Sequence, residues 1–199
     1  MRVFSKGVAV LLAWLAAAAS AAAQQTLSTM PVDAYLHEFR LGASFEGVGL
    51  DPDFYYLPTT VPLDRLHKLS FEALFRSPYP DLFRWIGSPK PTVGGALSLT
   101  GDTSWVFAGL TWQLPVLETP LFLEATVGAT LHNGPLHDAA PGEAVYGCRS
   151  LLYVRGGIGY DIDEHWTASA YLEHGSHGRV CGTDNSGFHS VGLQIGYKF

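Results

Sequence analysis

Residues 166–176 read WTASAYLEHGS, and their parity decides the fold. In an extended chain Trp166, Ala168, Ala170, Leu172, His174 and Ser176 fall on one face, and Thr167, Ser169, Tyr171, Glu173 and Gly175 on the other. Successive strand side chains point to opposite sides, so this segment has a largely apolar face and a polar one. Leu121, Leu123, Ala125, Val127 and Ala129 show the same alternation upstream, and Val191, Leu193, Ile195, Tyr197 and Phe199 show it at the C-terminus. Eight strand-like runs can be marked, at roughly 36–46, 68–77, 91–100, 103–113, 119–131, 147–161, 164–176 and 187–199. Each has about the length a tilted strand needs to cross a bilayer.

The N-terminus reads differently. Arg2 and Lys6 precede an apolar stretch from Val8 to Ala19, and Ala21-Ala22-Ala23 supplies small residues before Gln24. Residues 1–23 are therefore expected to be a secretory signal peptide, because the apolar stretch is short for a membrane-spanning helix. Residues 24–199 then form one domain. The chain is 47% hydrophobic with 22 glycines and 13% aromatics, yet has no later run fit for a transmembrane helix. Glycine and aromatics spread over short alternating runs after an export signal fit an all-β, eight-stranded antiparallel transmembrane β-barrel in the outer membrane. A secreted, soluble β-sandwich is the competing reading. The net charge of −6 and the lack of a basic stripe argue against a nucleic-acid partner.

The connections carry turn chemistry. Thr100-Gly101-Asp102-Thr103 reads as a tight hairpin and 161–165 as a short link. Longer links run at 47–67, 78–90, 132–146 and 177–186. The link at 78–90 is long for a periplasmic turn and is expected to hold a short extra helix around Pro80 to Trp85. A last strand ending in Phe199 resembles the assembly signal of outer-membrane proteins, whose C-terminus is periplasmic. That polarity sends Ser176, Cys148 and Cys181 to the outer end. Export permits a Cys148–Cys181 disulfide, with two free thiols as the alternative.

A lumen of eight strands is filled by side chains, so a membrane lipid must be met on the outer wall. His174 and Ser176 lie on that face by parity, as does His189 on the last strand. A hairpin register with Ser176 opposite residue 188 or 189 would gather the three. A serine hydroxyl is a poor nucleophile until a base removes its proton; histidine can do so near neutral pH, with a third group fixing its tautomer. The spacing alone is weak evidence, since a rim histidine beside a loop serine gives the same pattern. Glu173 has the opposite parity and is expected to point into the lumen. His132, His137 and Asp138 match no strong metal motif and read as a solvated loop.

The stretch His174-Gly175-Ser176-His177-Gly178, followed by Asn185-Ser186-Gly187 and a last strand running from Gly192 to Phe199, resembles the end of the lipid A 3-O-deacylase family, the PagL-type outer-membrane enzymes. Glu38 to Gly42, Leu74 to Pro78 and Ala108 to Trp112 are similar to earlier pieces of that family. The resemblance implies an eight-stranded barrel that hydrolyses the ester-linked 3-hydroxyacyl chain at position 3 of lipid A, without metal or other cofactor. It implies Ser176 as nucleophile and His174 as base. The family's glutamate does not carry over: His189 takes its place, allowing for one extra loop residue, and is expected to orient His174, with Asp184 as the alternative acid. The family's usual Asn after the serine is His177 here, so the His177 ring, or the main-chain N–H groups of His177 and Gly178, are the oxyanion candidates. Arg149 and Arg179 at the outer rim either meet lipid A phosphates or are ordinary rim arginines. The implied partners are lipopolysaccharide and outer-membrane lipids, with a homodimer left open. The missing glutamate keeps a second reading in play, a non-catalytic barrel of the same shape that binds lipid or maintains the envelope.

Overall fold

Among the described residues there are ten strands: β1 Leu36–Glu46, β2 Gly49–Leu50, β3 Pro58–Thr60, β4 Lys68–Phe75, β5 Lys90–Ser98, β6 Trp105–Pro115, β7 Leu121–His132, β8 Ser150–Asp161, β9 Trp166–Ser176 and β10 Phe188–Lys198. The computed structural model describes residues 31–47, 49–50, 58–61, 63–77, 83–139 and 144–199. The expected signal peptide, residues 1–23, lies outside them. Eight of the strands close an antiparallel barrel in the order β1-β10-β9-β8-β7-β6-β5-β4. Closure runs from Glu38 opposite Lys198 to Glu46 opposite Ser190. The eight runs marked in the sequence are these eight strands, with edges moved by a few residues. The small β2–β3 sheet was not anticipated; it lies within the 47–67 link. Of the helix expected at Pro80 to Trp85, residues 78–82 lie outside the described residues. The described part is a single 3-10 turn, Arg84–Ile86, ended by Gly87 in the left-handed region. A second 3-10 turn, Val32–Ala34, precedes the barrel in a separate unit of the chain.

The alternation is inverted relative to a water-soluble barrel. Glu38, Arg40, Lys68, Ser70, Glu72, Thr92, Thr111, Glu124, Thr126, Arg155, Thr167 and Gln194 are buried and fill the lumen. Leu41, Leu69, Val93, Val106, Val127, Ile158, Trp166 and Leu193 are exposed, so every barrel strand presents large apolar side chains outward. No soluble fold gains from leaving that much apolar surface in water. A bilayer reverses the balance and also requires every strand edge to be paired, which closure provides.

The lumen is packed in two layers. In the middle, Arg40 forks onto Glu38 with two bonds of 2.9 Å and reaches Glu124 at 2.9 Å. Arg155 donates to Glu72 at 2.5 Å and to Glu124 at 3.0 Å. Ions this deeply buried are tolerable only when paired and hydrogen-bonded, and each arginine here serves two or more carboxylates. Toward the end that carries the 177–187 link, Trp105, Phe107, Tyr153 and Phe188 form an aromatic layer. Trp105 stacks on Phe188 with ring centroids 5.3 Å apart, and Phe107 lies 4.5 Å from Tyr153. Glu173 does face inward, where it accepts a 2.7 Å bond from the Tyr153 hydroxyl. This layer matters because Phe188 is also the first residue of the strand that flanks His174.

Candidate active site on the barrel wall

β9 and β10 pair directly, with His174 opposite His189 and Gly175 opposite Phe188. The register therefore differs from the expected one, which set Ser176 against residue 188 or 189. In an antiparallel pair, directly opposed residues share a face. Ser176 points outward and Phe188 inward, so they cannot be opposed. Instead Gly187, at φ +62, sits beside the serine, its Cβ position 3.4 Å from that of Ser176.

His174 and Ser176 project from the same outer face of β9, both half-buried. His174 Nε2 lies 2.8 Å from Ser176 Oγ. His174 Nδ1 lies 3.2 Å from the Phe188 main-chain oxygen. A carbonyl oxygen can only accept, so Nδ1 carries the proton of the neutral ring and the Nε2 lone pair is left to accept from the serine hydroxyl. This is the tautomer a general base needs. The Phe188 carbonyl thus takes the orienting position that a carboxylate fills in a Ser-His-acid triad. Gly175, between His174 and Ser176, must lack a side chain: an added Cβ would stand 2.2 Å from Phe188 Cε1.

His189 is close to His174 but arranged differently from the expectation. The two rings stack, with centroids 4.4 Å apart and planes 24° from parallel. Ring nitrogens donate and accept in the ring plane, so two stacked imidazoles do not hydrogen-bond each other. His189 Nδ1 is buried without a partner among the described residues. Asp184 makes no bond to His174; its carboxylate takes a 2.7 Å bond with His137 Nδ1.

The loop after the serine is tightly tied. The His177 ring is buried, its Nε2 donating to the Asp184 carbonyl at 2.7 Å and its Nδ1 accepting from the Cys181 N–H at 3.3 Å. Its main-chain N–H goes to Asn185 Oδ1. Of the oxyanion candidates, both the ring and the N–H of His177 are thus engaged within the loop. Gly178, exposed at φ +58, keeps an N–H with no acceptor among the described residues. Cys148 and Cys181 form a disulfide, with Cα atoms 5.8 Å apart, joining this loop to the one before β8. Arg149 spends its guanidinium on the His132 and Gly134 carbonyls at 2.9 and 2.8 Å, while Arg179 is exposed.

An apolar groove of about 450 Å³ adjoins the pair. Ala125, Val127, Val154, Gly156 and Leu172 line it beside His174 and His189. A Cβ at Gly156 would meet nothing within 4 Å, so this glycine leaves the groove floor open. The groove escaped sequence reading because it joins four strands; small residues at Ala125 and Gly156 on the apolar parity were the available signal. The Phe188 carbonyl left no signal, since every residue has one.

Comparison with known proteins gives a consistent picture. No curated protein matches the chain in sequence. Among solved structures, the outer membrane enzyme PagL is similar at a TM-score of 0.51 and 12% identity, covering 80% of this chain and 99% of that one. Neisserial surface protein A is similar at 0.51 and 10% identity, covering 83% and 97%. At such identities these two show the fold alone. The family model described as lipid A 3-O-deacylase (PagL) matches residues 68–198, which include seven of the eight barrel strands and the whole His174–Ser176 site. The chain belongs to the lipid A 3-O-deacylase (PagL) family and is an outer-membrane β-barrel protein.

Proposed function

We propose that this protein is a serine esterase that removes the ester-linked 3-hydroxyacyl chain from position 3 of lipid A. The observation that carries the reading is the 2.8 Å contact between His174 Nε2 and Ser176 Oγ on the lipid-facing wall. Ser176 Oγ attacks the ester carbonyl carbon while His174 Nε2 takes the hydroxyl proton. The Phe188 carbonyl holds Nδ1–H throughout, so the ring cannot turn its proton toward the serine. The tetrahedral oxyanion collapses, the C–O bond to the sugar breaks, and His174 returns the proton to the departing 3-hydroxyl. Water, deprotonated by His174, then attacks the acyl-enzyme; the acyl–Oγ bond breaks, His174 returns the proton to Ser176 Oγ, and the 3-hydroxy fatty acid is freed. Gly178 N–H serves as the oxyanion donor in this reading, because the ring and the N–H of His177, the other candidates, are engaged within the loop. The groove beside the pair suits an acyl chain that already lies in the outer leaflet, and the exposed Arg179 suits a lipid A phosphate at the rim.

One observation favours the non-catalytic reading, a barrel that only binds lipid: among the described residues no carboxylate contacts His174, so its cationic form lacks the partner of a full triad. Mass spectrometry of lipid A from cells expressing wild type, Ser176→Ala or His174→Ala separates the two. Wild type is expected to remove one hydroxyacyl mass, and each variant to leave lipid A intact while keeping the heat-modifiable gel mobility of a folded barrel. Deacylation by Ser176→Ala near the wild-type level would refute the serine mechanism.

A further inference from the structure

We infer that His189 is a positioning residue that acts on His174 through its ring face and not through a hydrogen bond. The inference rests on the esterase reading above. During attack His174 becomes an imidazolium. Its Nδ1–H is held by a neutral carbonyl, which fixes direction but supplies no opposing charge. What lies against the ring is His189, whose centroid is 4.4 Å away and whose plane is 24° from parallel. A cation within about 6 Å of an aromatic face is stabilised by the ring's π electrons, more strongly where water is excluded. An offset stack is also a preferred arrangement of two rings, so it restrains the χ angles that aim Nε2 at Ser176.

The placement is set by the strands. His174 and His189 are direct partners in the β9–β10 ladder, and both point outward. The ring of one must therefore lie against the ring of the other, whatever the loop beyond does. Because His189 Nδ1 is buried without a partner among the described residues and the planes are near parallel, neither nitrogen of His189 serves His174 as donor or acceptor. The position is thus filled by an aromatic face, and this assigns His189 a requirement for a ring, not for a nitrogen.

The experiment compares His189→Phe, His189→Leu and His189→Ala in the full-length protein, purified in detergent and given lipid A in mixed micelles. Folding is read from heat-modifiable mobility. The initial rate is measured against lipid concentration to separate kcat from KM, and Ser176 is titrated with a fluorophosphonate. His189→Leu and His189→Ala are expected to lose roughly 3- to 30-fold in kcat, the range a lost cation–π contact would give, with KM little moved. His189→Phe is expected to recover most of the loss in both kcat and fluorophosphonate rate. Leu and Phe fill similar space, so packing alone would not separate them. If His189→Phe is as slow as His189→Leu, a nitrogen is required and the inference is wrong. If His189→Leu and His189→Ala match wild type, His189 positions nothing. Failure of the esterase reading itself looks different: wild type would then neither react with the fluorophosphonate at Ser176 nor deacylate lipid A.

Discussion

Gly175→Ala tests whether the lumen and the His174–Ser176 pair are coupled through one strand junction. Gly175 faces inward between the two outward residues His174 and Ser176. A Cβ built there stands 2.2, 2.4 and 3.0 Å from Phe188 Cε1, Cζ and Cδ1. The obstacle is the edge of a ring that is itself stacked on Trp105 at 5.3 Å and buried in the aromatic layer. The ring cannot swing aside without disturbing Trp105, so the strain passes to the Phe188 backbone. Overpacking of this kind costs about 1–3 kcal/mol. The Phe188 carbonyl is also the acceptor of His174 Nδ1–H, at 3.2 Å and with little slack. A shift on the order of 1 Å at a catalytic contact can cost about 100-fold in rate. The activity loss should therefore exceed what instability explains. Urea unfolding of the detergent-solubilised barrel gives the stability change, and lipid A deacylation by the still-folded fraction gives the rate. The double variant Gly175→Ala, Phe188→Leu should recover stability by opening space. Wild-type rate and stability in Gly175→Ala would refute the coupling. So would a loss of stability with full activity in the folded fraction.

Two further outcomes follow from the links. Replacing Cys148 and Cys181 by serine opens a closure spanning 33 positions, and in the chain-entropy treatment such a closure is worth about 3–4 kcal/mol less native strain; a lower urea midpoint than wild type under non-reducing conditions checks it. Asp163 accepts from the His165 and Trp166 N–H groups at 2.8 and 2.7 Å, and these donors hold its carboxyl below the usual carboxylate range. Its folded pKa is depressed, so the stabilisation is present above the unfolded pKa and fades as pH falls through the folded one. Asp163→Asn should flatten the acid limb of the stability–pH curve, measured by urea midpoints from neutral to acid; an unchanged limb would exclude this contribution.

How much was legible in the sequence depended on which physical rule each feature obeys. The barrel was legible because a bilayer and a packed polar lumen impose opposite requirements on alternate residues, and that contrast survives in the barrel strands. Glu173 and His174 were sorted to opposite faces by this rule alone. The β2–β3 sheet was not legible, since two-residue strands carry too few positions to show a period. Nor was the engagement of Asp184 by His137, a contact across 47 positions that no local pattern encodes.

The site shows the same division more sharply. Parity placed His174, Ser176 and His189 on one face, and the ladder makes two of them direct neighbours. Parity gives no information about what neighbours do to each other. A carboxylate at position 189 would meet His174 through an in-plane oxygen, whereas an imidazole on the adjacent strand lies flat against it. The strand spacing of about 4.7–4.9 Å brings two cross-strand rings to stacking distance. The orienting bond then falls to the one acceptor that strand pairing places there regardless of side chain, the Phe188 carbonyl. A histidine in place of a carboxylate at position 189 therefore leaves the His174 tautomer fixed and, on the proposed reading, withholds only a countercharge. If the proposed esterase reading holds, such an arrangement keeps Ser176 as the group that attacks and gives up rate, and the aromatic face of His189 is the feature proposed to limit that loss.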